Sequence, residues 1–170
     1  SIPHKVSIPK PGWMEHDPDD VWLHDFLYIV KDLLKKSEID PKEILGIGIS
    51  SISTALLMLD KDKKPIRPSI LYGVDTRATE EVEEFKRDLG TPFVSNQNIP
   101  PKIRWVQKNE PDVWAKTRYI YSGHHYVIMC LTGEVTQNVL DTIGFYPLYD
   151  NDNNKWVEEY FDYFHIDPAI

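Results

Sequence analysis

Three stretches of this 170-residue sequence are dense in groups that ligate metals or cradle phosphates. Asp150-Asn-Asp-Asn-Asn154 alternates oxygen donors as a calcium loop does. Its sixth position is Lys155, where such a loop needs glycine for a sharp turn. Its twelfth is Phe161, where the loop needs a bidentate glutamate, so a solvated turn is expected. His124-His125 are neighbours in sequence, and neighbours on a helix point in different directions, which suits a shared metal poorly. Gly46-Ile-Gly-Ile-Ser-Ser51 lacks the Gly-x-Gly-x-x-Gly spacing and the Gly-Lys-Ser/Thr ending of phosphate loops. It reads as a strand in which glycine permits close packing. The sole cysteine, Cys130, lies in the apolar run Tyr126-Val-Ile-Met-Cys-Leu131 and reads as a buried structural residue. No nucleophile, base and orienting acid group together in the sequence, and no metal ligands are assigned.

The elements that would position side chains are easier to read. Asp17-Pro18-Asp19-Asp20 opens a helix: Asp17 can cap the orphan amides, Pro18 suits the first turn, and the acids favour the positive end of the dipole. Trp22, Phe26, Ile29, Val30, Leu33 and Leu34 continue it as a helical stripe ending near Lys36. Residues 44–50 read as a buried strand, residues 55–59 as a second and residues 69–72 as a third, with a polar turn over 60–65. Helices are predicted over 76–89, 100–109, 111–116, 122–131 and 156–164, and a strand over 118–121. Thirteen prolines favour many short elements. Strands alternating with helices predict an α/β fold.

Hydrophobic residues make up 41% of the chain, enough for one domain with a core or one large piece of a bigger enzyme. No apolar run approaches the ~18–20 residues that a membrane helix needs. Ser1-Ile2-Pro3-His4-Lys5 lacks the pattern of a signal peptide. With a single thiol, these features predict a cytoplasmic protein. Nineteen Lys+Arg against 27 Asp+Glu leave a net charge of −8, which opposes nucleic acid as a partner. A nucleotide is compatible, because a few local groups suffice to hold it.

Four ordered segments carry a sharper pattern. The first is Gly12-Trp-Met-Glu-His-Asp-Pro18 with Trp22. The second is Ile47-Gly-Ile-Ser50 with Leu59-Asp60, Pro65-Ile-Arg-Pro68 and Ile70-Leu-Tyr72. Asp75-Thr-Arg77 follows, and then Pro101-Lys102, Trp105, Asn109-Glu-Pro111 and Leu131-Thr-Gly-Glu134, with Asp141, Gly144 and Trp156 beyond. In this order and spacing, over roughly residues 10 to 168, the chain resembles the N-terminal, sugar-binding half of FGGY-family carbohydrate kinases.

The resemblance implies an α/β fold of the ribonuclease H-like, actin-like ATPase class, with residues 1–170 forming a single, partial N-terminal domain. It implies a two-domain enzyme that transfers the terminal phosphate of ATP, with Mg2+, to a hydroxyl of a sugar, polyol or sugar acid. The family's phosphate-loop hairpin belongs before Ser1, and its catalytic aspartate and ATP domain belong after Ile170. No catalytic, ATP-binding or metal-binding residue is therefore assigned here, and this stretch alone is expected to be inactive. The implied partner is a small-molecule sugar, without nucleic acid or membrane, and a homodimer is compatible. The rival reading is a non-catalytic binding or assembly module on the same actin-like half.

The resemblance also implies where a sugar would touch. The loop after Ser50 supplies substrate contacts in this family, and by spacing this chain has Ser53 and Thr54 there. They could bond a sugar through hydroxyls or simply form a turn. Tyr72 stands where many relatives pack a tryptophan against substrate; the alternative is a half-buried aromatic at a strand end. Asp75 could hold sugar hydroxyls or cap the next helix, with Arg77 pairing to it. Gln97 aligns with a substrate-contacting position of glycerol kinases. Glu15, His16 and Lys102 are expected to be structural. Small residues at 53–54 leave room for a longer ketose, polyol or aldonate.

Overall fold

A computed structural model describes residues 1–51 and 54–170. Asp17 accepts hydrogen bonds from the amides of Asp19 and Asp20, and a π-helical turn over Pro18–Leu23 leads into α1 (His24–Ser37). This is the start that the aspartate and proline predict. Strand β1 (Glu15–His16) pairs antiparallel with β3 (Ser69–Ile70), and β2 (Leu57–Leu59) pairs antiparallel with β4 (Tyr119–Tyr121). A single bridge, Leu56 to Ile70, joins the two ladders.

Helices α2 (Thr79–Leu89), α3 (Ile99–Asn109) and α4 (Pro111–Lys116) follow in turn. Helix α2 ends at Gly90, whose φ of +62° suits glycine, and the two next helices open on proline. Val82 and Phe85 of α2 meet Ile99, Ile103 and Val106 of α3 in the main core, which Phe164 of α6 (Glu158–Phe164) closes. A second cluster, Leu57, Leu59, Tyr121, Tyr126 and Met129, lies under α5 (Gly123–Thr132). Asp150–Asn154 turns between β5 (Tyr149–Asp150) and β6 (Lys155–Trp156), and its amides bond to Asp150, as a solvated turn requires.

Two expectations are corrected. Residues 44–50 form no ladder among the described residues, and Leu45 is 99% exposed, so the predicted buried strand is an uncovered extended segment. Helix α1 likewise has no buried residue. An apolar period marks a segment that can be buried, but pairing needs a neighbour, and none of the described strands reaches this one. Cys130 is exposed rather than buried. Most of its helix is apolar, and no polar stripe marks which side faces outward. Among the described residues no helix is long and apolar enough to cross a membrane.

Candidate functional site

The residues that make the sequence pattern so distinctive come together in one buried hub. Asp75 is 1% exposed and accepts from the amide of Met14 at 2.6 Å. The same carboxylate accepts from the Arg77 backbone amide and, at 2.8–3.1 Å, from its guanidinium. Nη1 of Arg77 makes an ion contact of 2.8 Å with Glu15, off the hydrogen-bond direction, and Glu15 also accepts from Arg67 at 2.6 Å. The Arg77 guanidinium lies 4.3 Å from the ring of Trp13 and 5.2 Å from that of Trp105. The two indoles meet edge to face. Beside them Lys102 is fully buried, and among the described residues its Nζ has no hydrogen-bond partner. Burial pushes its pKa down to about 7 against the opposing pull of Asp75.

With both oxygens engaged and 1% exposure, Asp75 ties the loop after β3 to the segment around Trp13, and it does not cap α2, whose N-cap is Ala78. It also holds Tyr72 in place, since the Asp75 amide donates to the Tyr72 carbonyl at 2.9 Å.

Tyr72 and Gln97 lie at the same end of β3 as this hub. Leu56 and Ile70 exchange both backbone hydrogen bonds, and Thr54 and Tyr72 each stand two residues beyond that pair along their segments. The half-exposed Tyr72 is followed by Gly73, over which Gln97 lies: a Cβ on Gly73 would sit 2.6 Å from Gln97 Cγ. Thr54 has a φ of +66°, an uncommon conformation for a β-branched residue. Its methyl packs on Gly144, where an added Cβ would approach to 2.6 Å. Ser53 lies outside the described residues.

A cluster that the sequence reading dismissed stands beside this loop. His124 and His125 do not diverge; their ring centroids are 4.1 Å apart. Both Nε2 atoms reach the same oxygen, Oδ2 of buried Asp141, at 3.0 and 2.6 Å. Asn138 donates to that oxygen as well, at 3.0 Å. On its far side His124 meets the Ser51 hydroxyl at 2.9 Å, and that hydroxyl also accepts from the His124 amide. Burial, with the His125 ring alongside, lowers the His124 pKa from its ordinary value although Asp141 pulls it up. The two histidines sit in the first turn of α5, where side-chain torsions swing both rings toward the turn holding Asp141. The adjacent pair was visible in sequence; the carboxylate completing it is 16 positions away and was not. A pocket of about 260 Å3 opens against this cluster, lined by Ser51 and His124 together with His16, Trp22, Phe26, Leu71 and Val127. Its lining is mainly apolar and includes none of Thr54, Tyr72 or Gln97.

The architecture is that of the N-terminal part of a ribonuclease H-like, actin-like ATPase. A solved xylulose kinase from Rhodospirillum rubrum matches it with a TM-score of 0.83 at 26% identity, over 97% of this chain and 35% of that one. The profile of the FGGY family of carbohydrate kinases, N-terminal domain, matches residues 1–170, and the chain belongs to that family. A xylulose kinase of Lactococcus lactis is 30% identical over 177 residues, covering 100% of this chain and 35% of the relative. A glycerol kinase of Thermococcus kodakarensis is 31% identical over 147 residues, covering 82% of this chain and 27% of the relative. The chain thus spans 35% or less of these relatives' lengths.

Proposed function

We propose that the complete protein is a cytoplasmic, ATP- and Mg2+-dependent kinase of a sugar, polyol or sugar acid, and that this chain supplies part of its sugar-binding side. The observation that carries this reading is the family match along all of residues 1–170. The relatives' names, xylulose kinase and glycerol kinase, point to a polyhydroxylated acceptor. Thr54, Tyr72 and Gln97 suit that role: a hydroxyl, an aromatic face with a polar tip, and an amide that both donates and accepts. None carries a fixed charge, which favours an uncharged stretch of acceptor at this slot. The chemistry assigned to this chain is recognition alone; the base and the ATP contacts are assigned to none of its residues. A coupled assay of the full-length protein against ketoses, polyols and aldonates tests the reading. ATP turnover stimulated by none of them would overturn it.

The slot makes its own prediction. Thr54→Leu should crowd the acceptor and strand one of its hydroxyls, a loss of roughly 1–3 kcal/mol, or about 5- to 150-fold in affinity. Tyr72→Ala should raise the sugar KM through lost packing. Both should leave the KM for ATP and the melting temperature near the parent's. Normal melting with unaltered sugar kinetics in both variants would reduce the loop to a turn.

Gly144 offers an indirect probe. Gly144→Ala places a methyl against the stiff side chain of Thr54 and should displace it without touching substrate. The sugar KM should rise several-fold while the KM for ATP holds. Wild-type kinetics in a normally melting variant would show that Thr54 does not set the slot.

A further inference from the structure

The geometry points to a binding site for a zinc-type divalent transition-metal ion, ligated by Nε2 of His124, Nε2 of His125 and a carboxylate oxygen of Asp141. The three ligand atoms lie within 4.8 Å of one another, and all three residues are buried. The site is separate from the kinase reading, which places its own metal on ATP.

The amide of Asn138 is fixed in orientation, because its Oδ1 accepts from the Asp141 backbone at 2.9 Å and its NH2 donates to Asp141 Oδ2. That NH2 also faces Nε2 of His124 at 3.1 Å, while the same Nε2 faces Asp141 Oδ2 at 3.0 Å. With Nδ1 donating to Ser51, Nε2 of His124 is the bare nitrogen, and its approach to Oδ2 lies off the hydrogen-bond direction. Bare, it suits the amide, and no proton lies between it and the carboxylate oxygen 3.0 Å away. The second imidazole adds a further group aimed at the same oxygen, at 2.6 Å. A cation among the three atoms would take the place of the His125 Nε2–H···Oδ2 hydrogen bond, with both nitrogens bare and the 2.6 Å separation opened to the roughly 3.3 Å between tetrahedral ligands.

The surroundings fit a ligand set on the His124 side, whereas Nδ1 of His125 is buried without a hydrogen-bond partner among the described residues. A metal-bound imidazole is held by a hydrogen bond from its other nitrogen, and Nδ1 of His124 lies 2.9 Å from the Ser51 hydroxyl, placed to donate to it. Two imidazoles and one carboxylate suit zinc and its neighbours rather than magnesium, which prefers oxygen and keeps its waters. Three protein ligands leave a fourth tetrahedral position for water. The ion would sit one hydrogen bond from Ser51, at the base of the loop that carries Thr54.

The test uses the untagged, full-length protein, stripped with a chelator and titrated with Zn2+. One ion per chain is expected, with a melting temperature raised by roughly 5 °C at a hundredfold excess over Kd. Co2+ in place of Zn2+ should give the visible absorption of a tetrahedral nitrogen–oxygen site. His125→Gln and Asp141→Asn, chosen to preserve volume, should each weaken Zn2+ binding about a hundredfold, and millimolar Mg2+ should not displace the ion. Absence of stoichiometric uptake overturns the proposal, as does displacement by Mg2+. So does unchanged affinity in both variants when they melt like the parent. If a variant fails to fold, the Co2+ spectrum of the unaltered protein decides: tetrahedral bands support the site and their absence removes it.

Discussion

Replacing Arg77 with leucine is expected to destabilise the domain by roughly 3–5 kcal/mol, the range for breaking a buried ion pair by removing one partner. The Arg77 side chain has no exposed surface, and neither does the Asp75 carboxylate it holds. Without the guanidinium, Asp75 keeps the amides of Met14 and Arg77 but loses its counter-charge, and Glu15 loses one of its two arginines. The rings of Trp13 and Trp105 lose the planar cation between them, a further contribution of about 0.5–2 kcal/mol. Arg77→Lys should recover little, because an ammonium cannot serve two carboxylates and two aromatic faces from one plane. Urea unfolding of the two variants and of the double variant Asp75→Leu with Arg77→Leu measures this. The double variant should lose much less than the sum of the single changes, since both charges leave together. A loss below about 1 kcal/mol in Arg77→Leu would contradict the hub as the feature that fastens the Tyr72 strand end.

The second large effect is a pH dependence. Lys102 has a pKa near 7 in the folded chain against an ordinary value of 10.5, chiefly because burial penalises the ammonium. Between those pH values the unfolded chain holds a proton that the folded chain has released, so stability rises with pH across that window. Below pH ~7 both states are protonated and the cost of the buried charge is constant. Unfolding measured from pH 6 to pH 10 should show Lys102 contributing a gain of a few kcal/mol at most, on the order set by a shift of this size. Lys102→Met should abolish that slope and be more stable than the parent at pH 6, because a thioether chain fills the space without a charge. Parallel pH profiles for parent and variant would refute the assignment. The two predictions are coupled. Arg77 adds to the depression of the Lys102 pKa, so Arg77→Leu should move the Lys102 transition to higher pH.

Within the candidate site, legibility varied residue by residue. Arg77 pairing with Asp75 was readable because the two are two positions apart, within reach along the backbone. That Asp75 also fastens the segment around Trp13 was not readable, since the Met14 amide that claims its second oxygen is 61 positions away. Thr54 and Tyr72 were reached through the resemblance, and only the pairing of Leu56 with Ile70 brings their segments side by side. Gln97 arrives over Gly73 from a turn whose course no local pattern revealed.

What the sequence determined by itself was local. Asp17 and Pro18 start a helix because capping and a preset φ act within one turn, and the prolines opening α3 and α4 act in the same way. The stripe of Val82 and Phe85 marks a buried face because period 3.6 is a property of the chain alone. The ordered tryptophans, acids and Asp-x-Arg spacing were enough to indicate the family. The tertiary structure decided everything that depends on a distant partner. Among the described residues it supplies no partner strand for residues 44–50 despite their strand-like composition, because a ladder is made by two segments. It turned Cys130 outward, because the apolar run around Cys130 carries no mark of which neighbour will cover it. It brought His124 and His125 onto one oxygen of Asp141, because ring direction is set by side-chain torsions and packing, and sequence spacing encodes neither.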